Sequence, residues 1–351
     1  MRPILAATAF KVTLWGPASI SSARAASSAA KRLSSGLRRF LVGIIASNSG
    51  DITAMSAPFK FDLEAATPLG KDTPVGDVFA ITARDRRFCR DEMPGRWWLN
   101  GDPVATAWHN ALSIAFPKGE AFFIEHVRAC REGAPAKLDA EIRAFVRQEV
   151  NHTREHIAFN RAVTDAGYDI FAIEQRLEKR LSLSRNRSSV ANLAASMALE
   201  HLTAIMARET LLKPEQFDGT NSDAAELWRW HAVEEIEHKG VAYDTWLHAT
   251  RDWSPFKRWR IKSLLMVMAG QAFLVGRICD TLDLLAQDGL KGWKWKWRLA
   301  KYLLGKPGVV RCTLPRVIAY FLPGFHPWNT DDRSLILLYD SEFPDAVQPA
   351  R

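Results

Sequence analysis

The stretch EVNHTREH, residues 149–156, places Glu149, His152, Glu155 and His156 within eight residues of an otherwise helical segment. Read from 139 to 163, the apolar stripe runs Ile142, Phe145, Phe159, Val163, and its 3-4 spacing is completed by Glu149, His152 and His156. At 100° per residue these three side chains fall within about 60° of one another. A buried seam tolerates ionisable groups only when they are paired or hold a metal ion. Glu155 and Arg154 fall off this line and are expected in solvent.

The pattern returns at 224–245, where one seam reads Ala224, Trp228, His231, Glu235, His238, Ala242, Thr245. A second line on the same segment, Leu227, Trp230, Glu234, Glu237, Val241, is also partly apolar. Glu200 interrupts the stripe Leu193, Met197, Ala204, Ala207, Leu211, and Glu120 lines up with Phe123, Val127 and Cys130. Glu125 lies on a more polar face, so Glu120 is preferred. The order is therefore Glu120, then Glu149-x-x-His152, then Glu200, then Glu235-x-x-His238. Two single glutamates and two Glu-x-x-His pairs make up the ligand inventory of dimetal carboxylate bundles. Residues three apart on a helix point the same way, so each pair offers an oxygen and a nitrogen to one ion. Carboxylate with imidazole suits iron, with manganese or zinc as alternatives.

On this reading the metal ligands are Glu120, Glu149, His152, Glu200, Glu235 and His238, with His231 added as a third ligand from its helix. Glu149 and Glu200 are the favoured bridging carboxylates. His231 and His238 are expected on one ion with Glu235, and His152 on the other with Glu120 and Glu149. His156 and His201 are assigned to hydrogen bonding behind the ligands. The order His152-x-x-Glu155-His156 also fits an inverted zinc protease with Glu155 as base. That version leaves the second seam unexplained.

These residues must be carried by helices. Turn signals at 116–119 (FPKG), 131–137, 165–169 and 213–223 divide the stretch from Pro103 to about 250 into helical segments, and alternation of the strand type is lacking. The expected fold class is all-α: a ferritin-like four-helix bundle over 103–250, further helices and a covering arm over 251–351, and an irregular arm over 55–102. The apolar run 263–276 is too short for a membrane span and reads as a buried helix. The Lys/Trp alternation KWKWR at 294–298 reads as packed tryptophans with solvated lysines, with peripheral membrane contact through 291–304 as the alternative.

The 351 residues carry a net charge of +8. The excess belongs to residues 1–54, rich in Ser, Ala and Arg, and the remainder is near neutral, which argues against nucleic acid as partner. That leader is expected to be disordered upstream sequence with a working start at Met55, or a transit peptide. Four widely spaced cysteines form no CxxC pair, which argues against a cysteine zinc site and fits free thiols in a reducing cytoplasm.

The stretches FPKGEAFFIEHVR, RQEVNHTREHIAFN, ALEHLTA, WHAVEEIEHKGVAYD and PGFHPWNTDD resemble the bacterial proteins labelled predicted metal-dependent hydrolases of the ferritin-like group, over about residues 75–340. The unit His231-x-x-x-Glu235-x-x-His238 is also similar to p-aminobenzoate N-oxygenase-type di-iron proteins. That similarity implies O2 activation and ligand roles for Glu120, Glu149, His152, Glu200, His231, Glu235 and His238. No substrate-binding motif of that group is evident. Three functions are thus open: a di-iron oxidase or oxygenase on a hydrophobic small molecule, a hydrolase that activates water, and a non-catalytic metal-binding or storage bundle.

Overall fold

The computed structural model describes residues 81–89, 95–220 and 222–343. The leader 1–54 and the first part of the 55–102 arm lie outside the described residues. The fold is all-α: the described residues form helices and no strand. In chain order these are α1 (Pro103–Ala129), α2 (Ala136–Asp165), α3 (Phe171–Ser182), α4 (Ser189–Leu212), α5 (Ser222–His238), α6 (Val241–Ala249), α7 (Pro255–Gln287), α8 (Trp293–Leu304), α9 (Val309–Ala319) and α10 (Arg333–Glu342).

Capping signals set several starts. The Asp102 carboxylate accepts from the amides of Val104 and Ala105, with Pro103 in the first turn of α1. Ser188 and Ser254 cap α4 and α7 in the same way. The turn expected at 116–119 does not occur: α1 runs through Pro117 without a break. A proline there cannot donate to the carbonyl four residues back, Ser113. Asn160 of α2 takes up that acceptor, its Nδ2 donating to the Ser113 carbonyl at 3.1 Å. A residue that reads as a helix breaker instead leaves a backbone acceptor for the neighbouring helix.

Helix α1 packs along α2 and against α4, α4 along α5, and α2 against α5. The faces they turn to one another carry Glu120, Glu149, Glu200 and Glu235. Helix α5 is buried on both of its candidate lines, because residues 81–89 cover the side opposite α4. The helix is interrupted at Lys239–Gly240, where a Cβ on Gly240 would come within 2.7 Å of Trp328 Nε1. The C-terminal segment closes over that junction: Lys239 meets Asp332 at 2.7 Å and lies over the Trp328 ring, and His326 pairs with Asp244 at 3.0 Å.

Helix α7 lies across α1 and α4. It does not match the expected buried helix at 263–276. It is 33 residues long, and only 33% of its most apolar window is buried. By length and composition α4 and α7 could each cross a membrane, but α4 is mostly buried in the core. In α8, Trp293 and Trp297 are exposed rather than packed.

Candidate metal centre

All seven predicted ligands converge. Glu120 comes from α1, Glu149 and His152 from α2, Glu200 from α4, and His231, Glu235 and His238 from α5, all buried. Their ligand atoms fall into three overlapping groups, each within 4.8 Å: Glu120 with His152 and His231; Glu149 with His152 and Glu235; Glu149 with Glu200 and His238.

The histidines are oriented from outside. Gln148 donates its Nε2 to the Thr82 carbonyl at 3.1 Å and to Glu237 Oε2 at 2.8 Å, which turns Oε1 toward His238. His238 Nδ1, 3.1 Å from that oxygen, is therefore the donor, and its Nε2 is left bare. It sits 3.3 Å from Glu149 Oε1, 3.4 Å from Glu200 Oε2 and 3.5 Å from Glu235 Oε1. His152 donates Nε2–H to Glu234 Oε2 at 3.0 Å, and its Nδ1 has no hydrogen-bond partner.

A longer relay reaches His231. Asn160 Oδ1 accepts the Ser113 hydroxyl at 2.7 Å, which uses that group's single proton. His156 Nδ1, 2.8 Å from Ser113 Oγ, must then be the donor. Burial first, then the neighbouring His231, pushes the His156 pKa well down, so the ring is neutral and its Nε2 accepts. It accepts from His231 Nδ1 at 2.6 Å, which turns His231 Nε2 toward the carboxylates, 2.9 Å from Glu235 Oε1 and 3.9 Å from Glu120 Oε1.

Three imidazole nitrogens thus face carboxylate oxygens, two of them, His152 Nδ1 and His238 Nε2, without a hydrogen-bond partner. Glu149 and Glu200 have no hydrogen bond on either oxygen, and one oxygen each of Glu120 and Glu235 is bare as well. The other Glu120 oxygen accepts from Thr153 at 2.8 Å. Burial, then the neighbouring carboxylates, drives the Glu149 and Glu200 carboxyls far above their ordinary range, and burial raises Glu120 as well. Unpaired buried oxygens facing bare nitrogens are costly without a cation between them. A divalent ion satisfies both, and oxygen with imidazole donors fits iron, manganese or zinc.

A family model described as "predicted metal-dependent hydrolase" matches residues 82–331. The chain belongs to this family. The matched stretch runs from Thr82, which binds Glu237, to Asp331 in the C-terminal closure. No match is found among curated proteins or among solved structures.

Several expectations change within this family member. His231 and His238 do not share a group. Seven residues separate them by about 10 Å along the helix axis. His152 instead stacks on His231, ring centroids 4.1 Å apart, and both gather with Glu120. Glu235 rather than Glu200 is central with Glu149: one Glu235 oxygen approaches all three histidines, whereas Glu200 approaches only His238. His156 has both ring nitrogens engaged, the inner one with His231. His201 does not back the ligands. It lies about 100° around α4 from Glu200, packs on Tyr320 and Phe325, and meets the Arg316 carbonyl at 3.2 Å.

Glu155 is buried, not solvated, because residues 84–89 lie over that side of α2. Its carboxylate accepts from the Phe88 amide at 2.9 Å and from Arg154 Nε at 2.6 Å. The inverted-protease geometry is not formed, since Glu155 turns to Phe88 while His156 turns to Ser113 and His231. The supports Gln148, Glu234, Glu237 and Arg84 were missed. The signal for two of them was the second apolar line on α5. Arg84 holds Glu237 with both terminal guanidinium nitrogens, at 2.7 and 3.0 Å, and its backbone amide donates to Glu234 at 2.6 Å.

A cavity walled by Trp108, Leu112, Phe116 and Trp228 reaches His231 and Glu235, with Lys213 and Gln216 among its polar lining. His109 also lines it, its Nδ1 donating to the Ala105 carbonyl at 2.9 Å. Burial lowers its pKa to about 4, so the ring is neutral.

Proposed function

We propose that the protein is a dimetal-carboxylate enzyme of ferritin-like design that activates O2 against an apolar small molecule, with iron as the favoured metal. Glu120, Glu149, His152, Glu200, His231, Glu235 and His238 would hold two ions. The observation that carries this reading is the convergence of three imidazole nitrogens on four buried carboxylates, with His152 Nδ1, His238 Nε2, both oxygens of Glu149 and Glu200 and one oxygen each of Glu120 and Glu235 lacking a hydrogen-bond partner. Iron at this position would supply electrons for O2 reduction, and any of the candidate metals would supply Lewis acidity.

The rest of the work falls to the chain. The outer partners Gln148, Glu234 and His156 fix each imidazole in the tautomer that presents a lone pair inward. The cavity walls bind an apolar molecule and keep water from the His231–Glu235 edge. Neutral His109 offers that molecule an uncharged polar neighbour. The enclosing carboxylates balance most of the charge of two divalent ions, so the centre can be buried without a counter-ion from solvent.

Hydrolysis is the second reading, favoured by the family's description. The two separate in one experiment. Anaerobically iron-loaded protein is exposed to O2 while oxygen consumption and the optical spectrum are followed, and a zinc-loaded sample is assayed on a panel of esters and amides. The proposal expects about two irons per chain oxidised with O2 uptake and no ester or amide turnover. Hydrolysis without O2 uptake would transfer the assignment to the second reading.

A further inference from the structure

Beyond the metal centre, the outward face of α7 is not accounted for. Its inner side is buried through Leu265, Met266, Ile278, Leu284 and Leu285. Its outer side is exposed at Phe256 (62%), Leu264 (50%), Val267 (54%) and Met268 (45%). At 100° per residue these fall on one side, together with the exposed Lys257, Arg260, Gln271 and Ala272, in an arc of about 160°. The face is not uniform along its length. The exposed cations Lys257 and Arg260 lie in its first two turns, and the exposed apolar residues Leu264, Val267 and Met268 follow. No acidic residue occurs between Asp252 and Asp280.

We propose that this face docks on an anionic lipid surface, with Leu264, Val267 and Met268 entering the headgroup–acyl boundary and Lys257 and Arg260 meeting lipid phosphates. Helices that lie in a membrane interface combine an apolar face with Lys and Arg that reach negatively charged headgroups. Phe256, stacked on Trp259 at 6.0 Å, adds an aromatic pair at the basic end, where such rings sit at an interface. Charge complementarity selects this occupant over a second copy of the chain. In either orientation, a helix pair made from this face alone sets cations against a stretch with no carboxylate to receive them. The proposal is independent of the metal reading, although α7 packs on α1 and α4, which carry Glu120 and Glu200.

The test is flotation of the full-length protein with vesicles of phosphatidylcholine alone and of phosphatidylcholine mixed with phosphatidylglycerol. The variants Leu264→Glu/Met268→Glu and Lys257→Glu/Arg260→Glu are run beside it, with gel filtration of each. All four positions are exposed, so helical circular dichroism and metal content should match the unsubstituted protein. The expected result is co-flotation with anionic vesicles at least tenfold above neutral ones, loss in both variants, and weakening at high salt. Equal binding to both vesicle types, or binding unchanged in both variants, would overturn it. So would a dimer that Leu264→Glu/Met268→Glu converts to monomer in a protein that never floats.

Discussion

His152 Nε2 lies 3.0 Å from Glu234 Oε2, and Glu234 in turn accepts the Arg84 backbone amide at 2.6 Å. A residue of the non-helical arm thereby sets which nitrogen of a candidate ligand on α2 faces the carboxylates. The Arg84 side chain acts in parallel through Glu237 and Gln148 on His238.

Removing this outer support should loosen the metal without unfolding the protein. Glu234→Gln and Gln148→Leu are each expected to weaken metal affinity about 10- to 100-fold. Metal titration of the apoprotein, with circular dichroism as the folding control, measures this. Unchanged affinity in both variants would remove the arm from the account.

The relay to His231 makes a graded prediction. His156→Ala frees His231 to take the other tautomer and should cost about tenfold or more in affinity for one of the two ions, leaving the other in place. Ser113→Ala keeps His156 and should cost less. Binding isotherms resolved into two steps would show this. Equal weakening of both steps would mean that His156 acts on the whole core rather than through His231.

Glu155 and Glu125 separate burial from ligation. Glu125 is exposed, and Glu125→Ala should change neither stability nor metal content. Glu155→Ala leaves the Phe88 amide without its carboxylate partner and should destabilise by about 1–3 kcal/mol while keeping two metals. Denaturant unfolding and elemental analysis decide it. Loss of metal in Glu155→Ala with retention in Glu235→Ala would revive the protease-like reading.

Much of this centre was legible in the sequence because a buried seam has few ways to tolerate charge. Ile142, Phe145, Phe159 and Val163 fix which face of α2 is inward, and Glu149, His152 and His156 follow from helical spacing. Glu120 was separable from Glu125 on the same ground. What spacing cannot show is height along an axis shared between helices, and so it grouped His231 with His238. Nor does it show what covers a helix from outside. Glu155 looked solvent-facing until residues 84–89 lay over it, and Glu234 and Glu237 looked like the losing alternative when both lines of α5 are buried. Pro117 misled for a backbone reason, since the carbonyl it leaves free has a partner in Asn160.

The pKa directions give a pH prediction with a definite sign. Burial raises the Glu120, Glu149 and Glu200 carboxyls above the ordinary value of 4.5. The folded apoprotein then binds more protons than the unfolded chain, so the stability linked to these groups is present at low pH and is lost as pH rises through the raised values. His152 and His156 are pushed the other way, below 6.5, and cost stability only when pH falls beneath that value. Above pH 6.5, and below about 8 where the buried Lys262 begins to lose its proton and acts in the opposite sense, the carboxyls govern, and the apoprotein Tm should fall as pH rises. Metal displaces those protons, so the gain in Tm on loading should grow over the same range. Scanning calorimetry with and without metal reads both trends, and an apoprotein Tm that rises between pH 6.5 and about 8 would contradict the buried-carboxyl account.

The central claim is two metal ions among four carboxylates and three imidazoles. Elemental analysis of apoprotein reloaded anaerobically with iron(II) tests it most directly, alongside Glu149→Ala and Glu235→Ala. The account predicts about two irons per chain, and failure to bind the pair in either variant with helical content retained. A single zinc taken up in preference to iron, or full iron content in either variant, would contradict it.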